Sequence, residues 1–223
     1  LNDFERYSLI RPVELLNKNW ISDDKHTTSP NILSYIENFN LVGNLVASTV
    51  LKETDIRRRV RAVEAWISIG KHMRKVNNLH GVVAVVSGLA LASVHRLKMT
   101  WAKIQKKSQN TLARIQNDTS PLLNYANLRQ TLNDSTPPCI PYLGLYFSDI
   151  VFLEDGNKSF LAENVINFSK LALLSRVIQD ILQYQQIPYV YTSDPALLQT
   201  VFRLVPIMND DEQYERSLSI EPR

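Results

Sequence analysis

The chain has 223 residues, 44% of them hydrophobic and 21% charged, and a formal net charge of +3. This composition excludes intrinsic disorder, and so mild a charge gives no support to a nucleic-acid binder. The lone cysteine, Cys139, excludes an internal disulfide and a multi-cysteine zinc site; it reads as a small buried residue behind Pro137 and Pro138.

No apolar run reaches the roughly 18 residues that a membrane-spanning helix needs. The opening Leu1-Asn2-Asp3-Phe4 lacks the basic-then-apolar pattern of a secretory signal. With no initiating Met, the chain reads as excised from a longer protein, in a cytosolic setting.

Glycine is scarce, at six residues, and the apolar spacing is helical along most of the chain. From Asn31 to Leu51, Ile32, Ile36, Phe39, Val42, Val46 and Val50 recur at steps of three and four. Ser29-Pro30 in front predicts a capped start. A second stripe runs through Ile56, Val60, Val63, Ile67, Gly70 and Met73, with Thr54 as candidate N-cap. Leu79 to Ala92 is apolar almost all round, which predicts a central core helix. Lys106-Lys107-Ser108 and Asn117 to Ser120 read as surface turns or helix ends. Helical patterns resume at about 121–133, 143–154, 161–186 and 194–205, and Asp155-Gly156 reads as a C-cap between two of them. The expected fold is all-α: a single irregular multi-helix domain over 1–223, with a projecting helical hairpin at about 143–185.

Arg57-Arg58-Arg59-Val60-Arg61 is the densest basic run, and its flanking Glu53, Asp55 and Glu64 make it read as a solvated face rather than a nucleic-acid or headgroup patch. His26, His72, His80 and His95 are scattered, without metal-ligand spacing. Nucleophile-elbow, Walker and dinucleotide-binding glycine patterns are absent. Nothing here predicts an active site, metal or nucleotide of the chain's own.

The stretch 142–157 is the most informative. Glu154 and Asp155 are adjacent, so on a helix they point roughly 100° apart and do not flank one bond. Val151 and Asp155, four apart, share a face, with Phe147 and Ser148 a turn earlier. That face suits either a carboxylate and an apolar group presented to a partner, or core packing that ends in an acidic turn.

Pro137 to Gly144, then Glu154-Asp155-Gly156-Asn157, then Ile166-Asn167-Phe168-Ser169-Lys170 closely resemble the catalytic domain of Ras-type guanine-nucleotide exchange factors. Ser29-Pro30-Asn31-Ile32, Val94-His95-Arg96-Leu97 with Trp101, Gln183-Tyr184-Gln185 with Pro188-Tyr189, and the terminal Leu218 to Arg223 match as well. The blocks stand in family order over nearly the whole chain, with the family's first helix only partly included.

The resemblance implies an all-α domain that binds a Ras-subfamily GTPase of Ras, Rap or Ral type, best in its nucleotide-free form. It implies no cofactor and no metal of its own, and contact with membranes only through the GTPase or further domains. In the family the hairpin wedges open the first switch region. Val151, Asp155, Ser148 and Phe147 are the residues expected to carry exchange. Val151 takes the neighbourhood of Mg²⁺, and Asp155 (or Glu154) the phosphate-loop side. Mg²⁺ demands oxygen ligands and a phosphate is repelled by a carboxylate, so both placements oppose nucleotide binding. Tyr142, Tyr125, Val83 and Ile36 map to the pocket for the second switch region. Ala90 stands where many members carry Asn, Val151 is shorter than the family's usual Leu, and Asp155 is shorter than Glu. Leu171-Ala172-Leu173-Leu174 is apolar where the family turns basic. These departures leave a second reading, a GTPase-binding or scaffold module without exchange activity.

Overall fold

The computed structural model describes residues 3–191, 196, 200 and 205–222. Its main elements are α1 (Asp3–Ser8), α2 (Pro30–Lys52), α3 (Ile56–Lys75), α4 (Leu79–Ala90), α5 (Lys106–Asp118), α6 (Leu122–Asn133), α7 (Gly144–Gly156), β1 (Phe160–Ala162), β2 (Val165–Ile166), α8 (Phe168–Gln183) and α9 (Asp210–Ile220). One-turn helices at Pro12–Leu15, Lys25–Thr28, Ala92–His95 and Lys98–Ala102 join them. The fold is nearly all-α, as expected. The helical pattern at 194–205 falls almost wholly outside the described residues.

The apolar stripes fold as their spacing predicts. Ile32, Val42, Val46 and Val50 of α2 are buried, as are Val60, Val63, Ile67 and Gly70 of α3. Helix α4 is buried along most of its length and packs against both. Two apolar clusters result. One holds Ile32, Tyr35, Leu79, Leu128, Leu145, Ile150, Leu174 and Ile181; the other holds Val46, Val63, Ile67, Val85, Leu97 and Ile115. Helices α2 and α4 feed both, and they approach closely because Gly88 faces Gly43. A Cβ on Gly88 would stand 2.6 Å from the Gly43 carbonyl oxygen and 2.7 Å from Val46 Cβ. Packing that dense leaves no room for even one added methyl.

Three helix starts differ from expectation. Ser29 sits at the cap position of α2, but its hydroxyl donates to the Glu14 carbonyl, 2.9 Å away. The cap comes instead from the buried Glu14 carboxylate, which accepts from the Asn31 and Ile32 backbone N–H groups at 2.9 and 3.2 Å. Burial pushes that carboxyl up; the bonds from Asn31, Ile32 and Arg11 outweigh it and hold the group below its ordinary range. Helix α3 is capped by Asp55, which accepts from Arg58 N–H at 2.9 Å, and not by Thr54. In α6, Leu123, Asn124 and Tyr125 adopt left-handed backbone with φ of 52–58°, so the regular helix begins after them.

Three further expectations are corrected. The 161–186 pattern is not one helix: Phe160–Ala162 pairs antiparallel with Val165–Ile166, and α8 starts at Phe168. Helix α7 runs through Gly156 without a left-handed glycine, and Asn157 is its extended C-cap. The basic run is not uniformly solvated either. Arg57, Arg58 and Arg61 are exposed, but Arg59 is 2% exposed. Its Nε donates to Thr100 Oγ1 at 2.8 Å, and its guanidinium meets Glu221 Oε1 at 3.4 Å.

His80 is a buried aromatic neighbour of Tyr35, with ring centroids 4.0 Å apart. Neither ring nitrogen has a hydrogen-bond partner among the described residues. Burial lowers its pKa from 6.5 to about 4, with Asp3 pulling weakly the other way. The unfolded chain therefore binds a proton before the folded one as pH falls. Stability is full above about pH 6.5 and is lost progressively towards pH 4, by about 3 kcal/mol in all from this group. Urea midpoints measured across that window should fall for the parent and stay flatter for His80→Leu; parallel curves would refute the assignment.

Candidate GTPase-facing site

Helix α7 is fixed to the body by its inward residues. Leu145, Tyr146 and Ile150 are buried, and Phe147 stacks on Trp20 with centroids 4.8 Å apart and planes 21° apart. Asp149 takes a two-pronged ion pair from Arg129, at 2.8 and 2.9 Å. Arg129 also donates to the Asn124 carbonyl at 2.9 Å, so one guanidinium fastens the left-handed turn of α6 to α7.

Outward lie Ser148, Phe152 and Asp155, with Val151 half-buried. The Ser148 hydroxyl donates back to the Gly144 carbonyl at 3.0 Å. The two adjacent carboxylates diverge, as their spacing predicts. Glu154 is turned in, its side chain 10% exposed; it meets Lys170 Nζ at 2.6 Å and accepts from the Asn17 backbone N–H at 3.2 Å. Asp155 is turned out, its side chain 59% exposed, and pairs with Lys18. Lys18 is itself in left-handed backbone, φ 57°, as is Asn17. For residues other than glycine, that conformation costs about 1–2 kcal/mol each.

Beyond Asp155 the two helices are joined by the short β-ribbon. Every residue from Lys158 to Ile166 is exposed, including Phe160, Leu161, Val165 and Ile166. Phe168 at the head of α8 is 77% exposed, while Lys170, two residues on, is buried against α7. Leu171 and Leu173 are exposed, and only Leu174 of that apolar run reaches the core. The hairpin is therefore rooted at one end by Leu174 and Ile181 and bare at the other.

A second patch gathers four of the expected residues. Tyr142 and Tyr125 stand with ring centroids 5.9 Å apart, and Phe39 lies 5.8 Å from Tyr142. Ile36, Tyr125 and Tyr142 are partly buried against the apolar cluster to which Val83, 8% exposed, belongs. Burial raises the Tyr142 hydroxyl above its ordinary pKa, with Tyr125 adding through proximity and a hydrogen bond. Gly144 shapes this patch: a Cβ there would stand 2.4 Å from the Tyr142 ring and displace it. Ala90, at the end of α4, is exposed and offers only a methyl group.

Four residues that sequence reasoning left without a role hold this geometry: Trp20, Lys18, Arg129 and Lys170. Lys18 lies 137 residues from Asp155, Arg129 lies 20 from Asp149 and Lys170 lies 16 from Glu154, separations at which sequence spacing carries no signal. Among the described residues no cluster of His, Cys, Asp and Glu could hold a metal, and no helix is long and apolar enough to cross a membrane.

The described residues thus form a nearly all-helical body with a rooted, partly bare helical hairpin beside an aromatic patch, and the class is all-α. Comparison with known proteins makes the class specific. The RasGEF domain model matches residues 1–172, so the chain belongs to the RasGEF domain family. It is 38% identical over 210 residues to Ras-specific guanine nucleotide-releasing factor 2 of Danio rerio, and 36% identical to the Mus musculus protein of that name; both matches cover 94% of this chain. It is 38% identical over its whole length to Ras guanine nucleotide exchange factor P of Dictyostelium discoideum. The chain spans 17%, 18% and 15% of those relatives' own lengths, a small part of each.

Proposed function

We propose that this domain is a guanine-nucleotide exchange factor for a Ras-family GTPase and that it works through α7. Membership of the RasGEF domain family carries this reading. Asp155 enters the phosphate-loop side of the GTPase and Val151 the Mg²⁺ neighbourhood, while Ser148 continues that face and Phe147, stacked on Trp20, holds it in place. Tyr142, Tyr125, Val83 and Ile36 receive the second switch region. Glu154 fastens the hairpin rather than touching nucleotide-binding elements. The outward Asp155 beside the inward Glu154 supports that division.

The chemistry is displacement. A hydrocarbon group cannot replace the oxygen ligands of Mg²⁺, and a carboxylate beside a phosphate site opposes phosphate by like charge. By linkage, a domain that binds the nucleotide-free GTPase best lowers nucleotide affinity, and nucleotide lowers the domain's own affinity by the same factor. The Lys18–Asp155 pair is too exposed to hold Asp155 back; such pairs contribute about 0–1 kcal/mol.

Release of a fluorescent nucleotide from a panel of Ras, Rap, Ral and Rho-type GTPases tests this. Acceleration is expected for at least one Ras-subfamily member. Asp155→Ala should slow it about tenfold, the worth of one charge-assisted hydrogen bond, with the fold intact. Val151→Lys should slow it further, by placing a cation where an apolar group is needed. Ala90, with its methyl group in place of a hydrogen-bonding side chain, favours one alternative, a GTPase-binding module without exchange. Binding of nucleotide-free GTPase with no acceleration across the panel would establish that alternative.

A further inference from the structure

On the face formed by α3 and α5 lies a cleft of ≈ 760 Å³. Lys71, His72, Arg74 and Lys75 line it from α3, and Lys107 and Arg114 from α5. We propose that this cleft is an anion site for a ligand that carries clustered phosphate groups, the chemistry shared by polyphosphorylated lipid headgroups and soluble inositol polyphosphates.

Charge leads to this conclusion. Five Lys and Arg side chains line the cleft against one acid, Asp118, in a chain whose whole net charge is only +3. Asp118 is already engaged by Arg74 Nε at 3.4 Å. Lys71, Lys75, Lys107 and Arg114 have no ion pair among the described residues.

Helix electrostatics explain half of this arrangement and not the rest. Lys71, His72, Arg74 and Lys75 occupy the last turns of α3, where cations complement the negative end of the helix. Lys107 stands in the first turn of α5, at the positive end, with no acidic residue in that turn; the carboxylate that meets this end is Glu64 of α3, which accepts from the Gln105 backbone N–H at 2.9 Å and lies outside the cleft's lining. A cation at that end runs against the helix dipole, and it adds to the positive charge that lines the cleft. An anion between the helices relieves both at once.

The cleft is also built rather than incidental. Its floor is Ile115, whose Cδ1 comes to 3.2 Å from where a Cβ on Gly70 would stand, so that glycine lets the helices draw together. His72 Nδ1 donates to the Ser68 carbonyl at 2.7 Å, which leaves Nε2 as the ring nitrogen available to a ligand. None of the lining residues belongs to α7, α8 or the Tyr142 patch, so an occupant and a GTPase need not compete.

The test uses the domain with three probes: phosphatidylcholine vesicles containing phosphatidylinositol bisphosphate, phosphatidylcholine–phosphatidylserine vesicles of equal surface charge, and inositol hexakisphosphate in solution. Binding to the first or third is expected, and which of them binds assigns the source. Lys71→Glu with Lys107→Glu should weaken it at least about tenfold. Lys75→Gln with Arg114→Gln, a milder change, serves if the first variant does not fold. Nucleotide release in solution should be unchanged in either, which separates this site from the exchange reading. The proposal is overturned if neither phosphate probe binds, if the folded variants bind as the parent does, or if phosphatidylserine vesicles bind equally well.

Discussion

Arg59→Leu is expected to destabilise the domain by about 3–5 kcal/mol, the cost of leaving a buried charge without its partner. The reason is where the guanidinium sits. It donates to the Glu53 and Thr54 carbonyls at 2.8 and 3.0 Å, at the close of α2, and to Thr100 Oγ1. The Thr100 hydroxyl donates in turn to Glu221 Oε1 at 2.6 Å, and that carboxylate also accepts from the Met99 and Thr100 backbone N–H groups. One side chain thus joins the end of α2, the turn at Lys98–Ala102 and the residue that follows α9.

Burial pushes the Glu221 carboxyl up, but the bonds from Thr100 and Met99 and the Arg59 charge outweigh it and hold it below the ordinary value of 4.5. The stability this group contributes is therefore full above about pH 4.5 and lost as pH falls below that. Without Arg59 that acid limb should flatten as well. Arg57→Leu, Arg58→Leu and Arg61→Leu, on exposed residues of the same run, should each stay within about 0.5 kcal/mol. Urea unfolding of the four variants decides it: a loss for Arg59→Leu as small as for the other three would mean that the run acts as a solvated face.

Arg59 also shows what the sequence could and could not reveal. The stripes of α2, α3 and α4 were legible because each buries a continuous apolar face, and spacing reports that directly. Arg59 was hidden by its neighbours' charges, yet it stands four residues before Val63 and eight before Ile67, on the buried side of α3. Position outranked residue type. The cap of α2 was illegible for another reason: Glu14 lies 17 residues before Asn31 in the chain, so no local pattern announces it.

At the hairpin, the divergence of Glu154 and Asp155 followed from helical geometry alone. Which of them faces inward did not, because it depends on Lys170 from α8 and on Asn17. The β-ribbon was missed because Leu161, Ala162, Val165 and Ile166 are spaced as helices often are. The turn residue was present: Asn164 takes left-handed backbone with φ 59°, the conformation Asn tolerates better than most. The aromatic patch was reached through family resemblance, and its left-handed Tyr125 has no signature in the apolar spacing.

Lys170→Met should separate the hairpin's attachment from the stability of the body. Its ammonium is buried where α7 and α8 meet, on Glu154 Oε2 at 2.6 Å, Ser159 Oγ at 3.1 Å and the Glu154 carbonyl at 3.3 Å. Methionine keeps the apolar stem but leaves a carboxylate that is only 10% exposed to face hydrocarbon. Residues Lys158–Ile166 are already exposed, and the apolar anchors of α8, Leu174 and Ile181, lie beyond Lys170, so the inexpensive response is local: α7's last turn and the ribbon detach while the core stays folded. Amide exchange should then accelerate at 154–168 with little change at α2 or α4. On the exchange reading, nucleotide release should fall about tenfold or more, because Asp155 and Val151 would no longer be held in a fixed frame. Lys170→Met combined with Glu154→Leu removes the stranded charge together with its partner, and it should restore much of the protection and of the rate. If the single variant unfolds the whole domain, or if the second change rescues neither measurement, the pair is part of the core and not the hairpin's fastening.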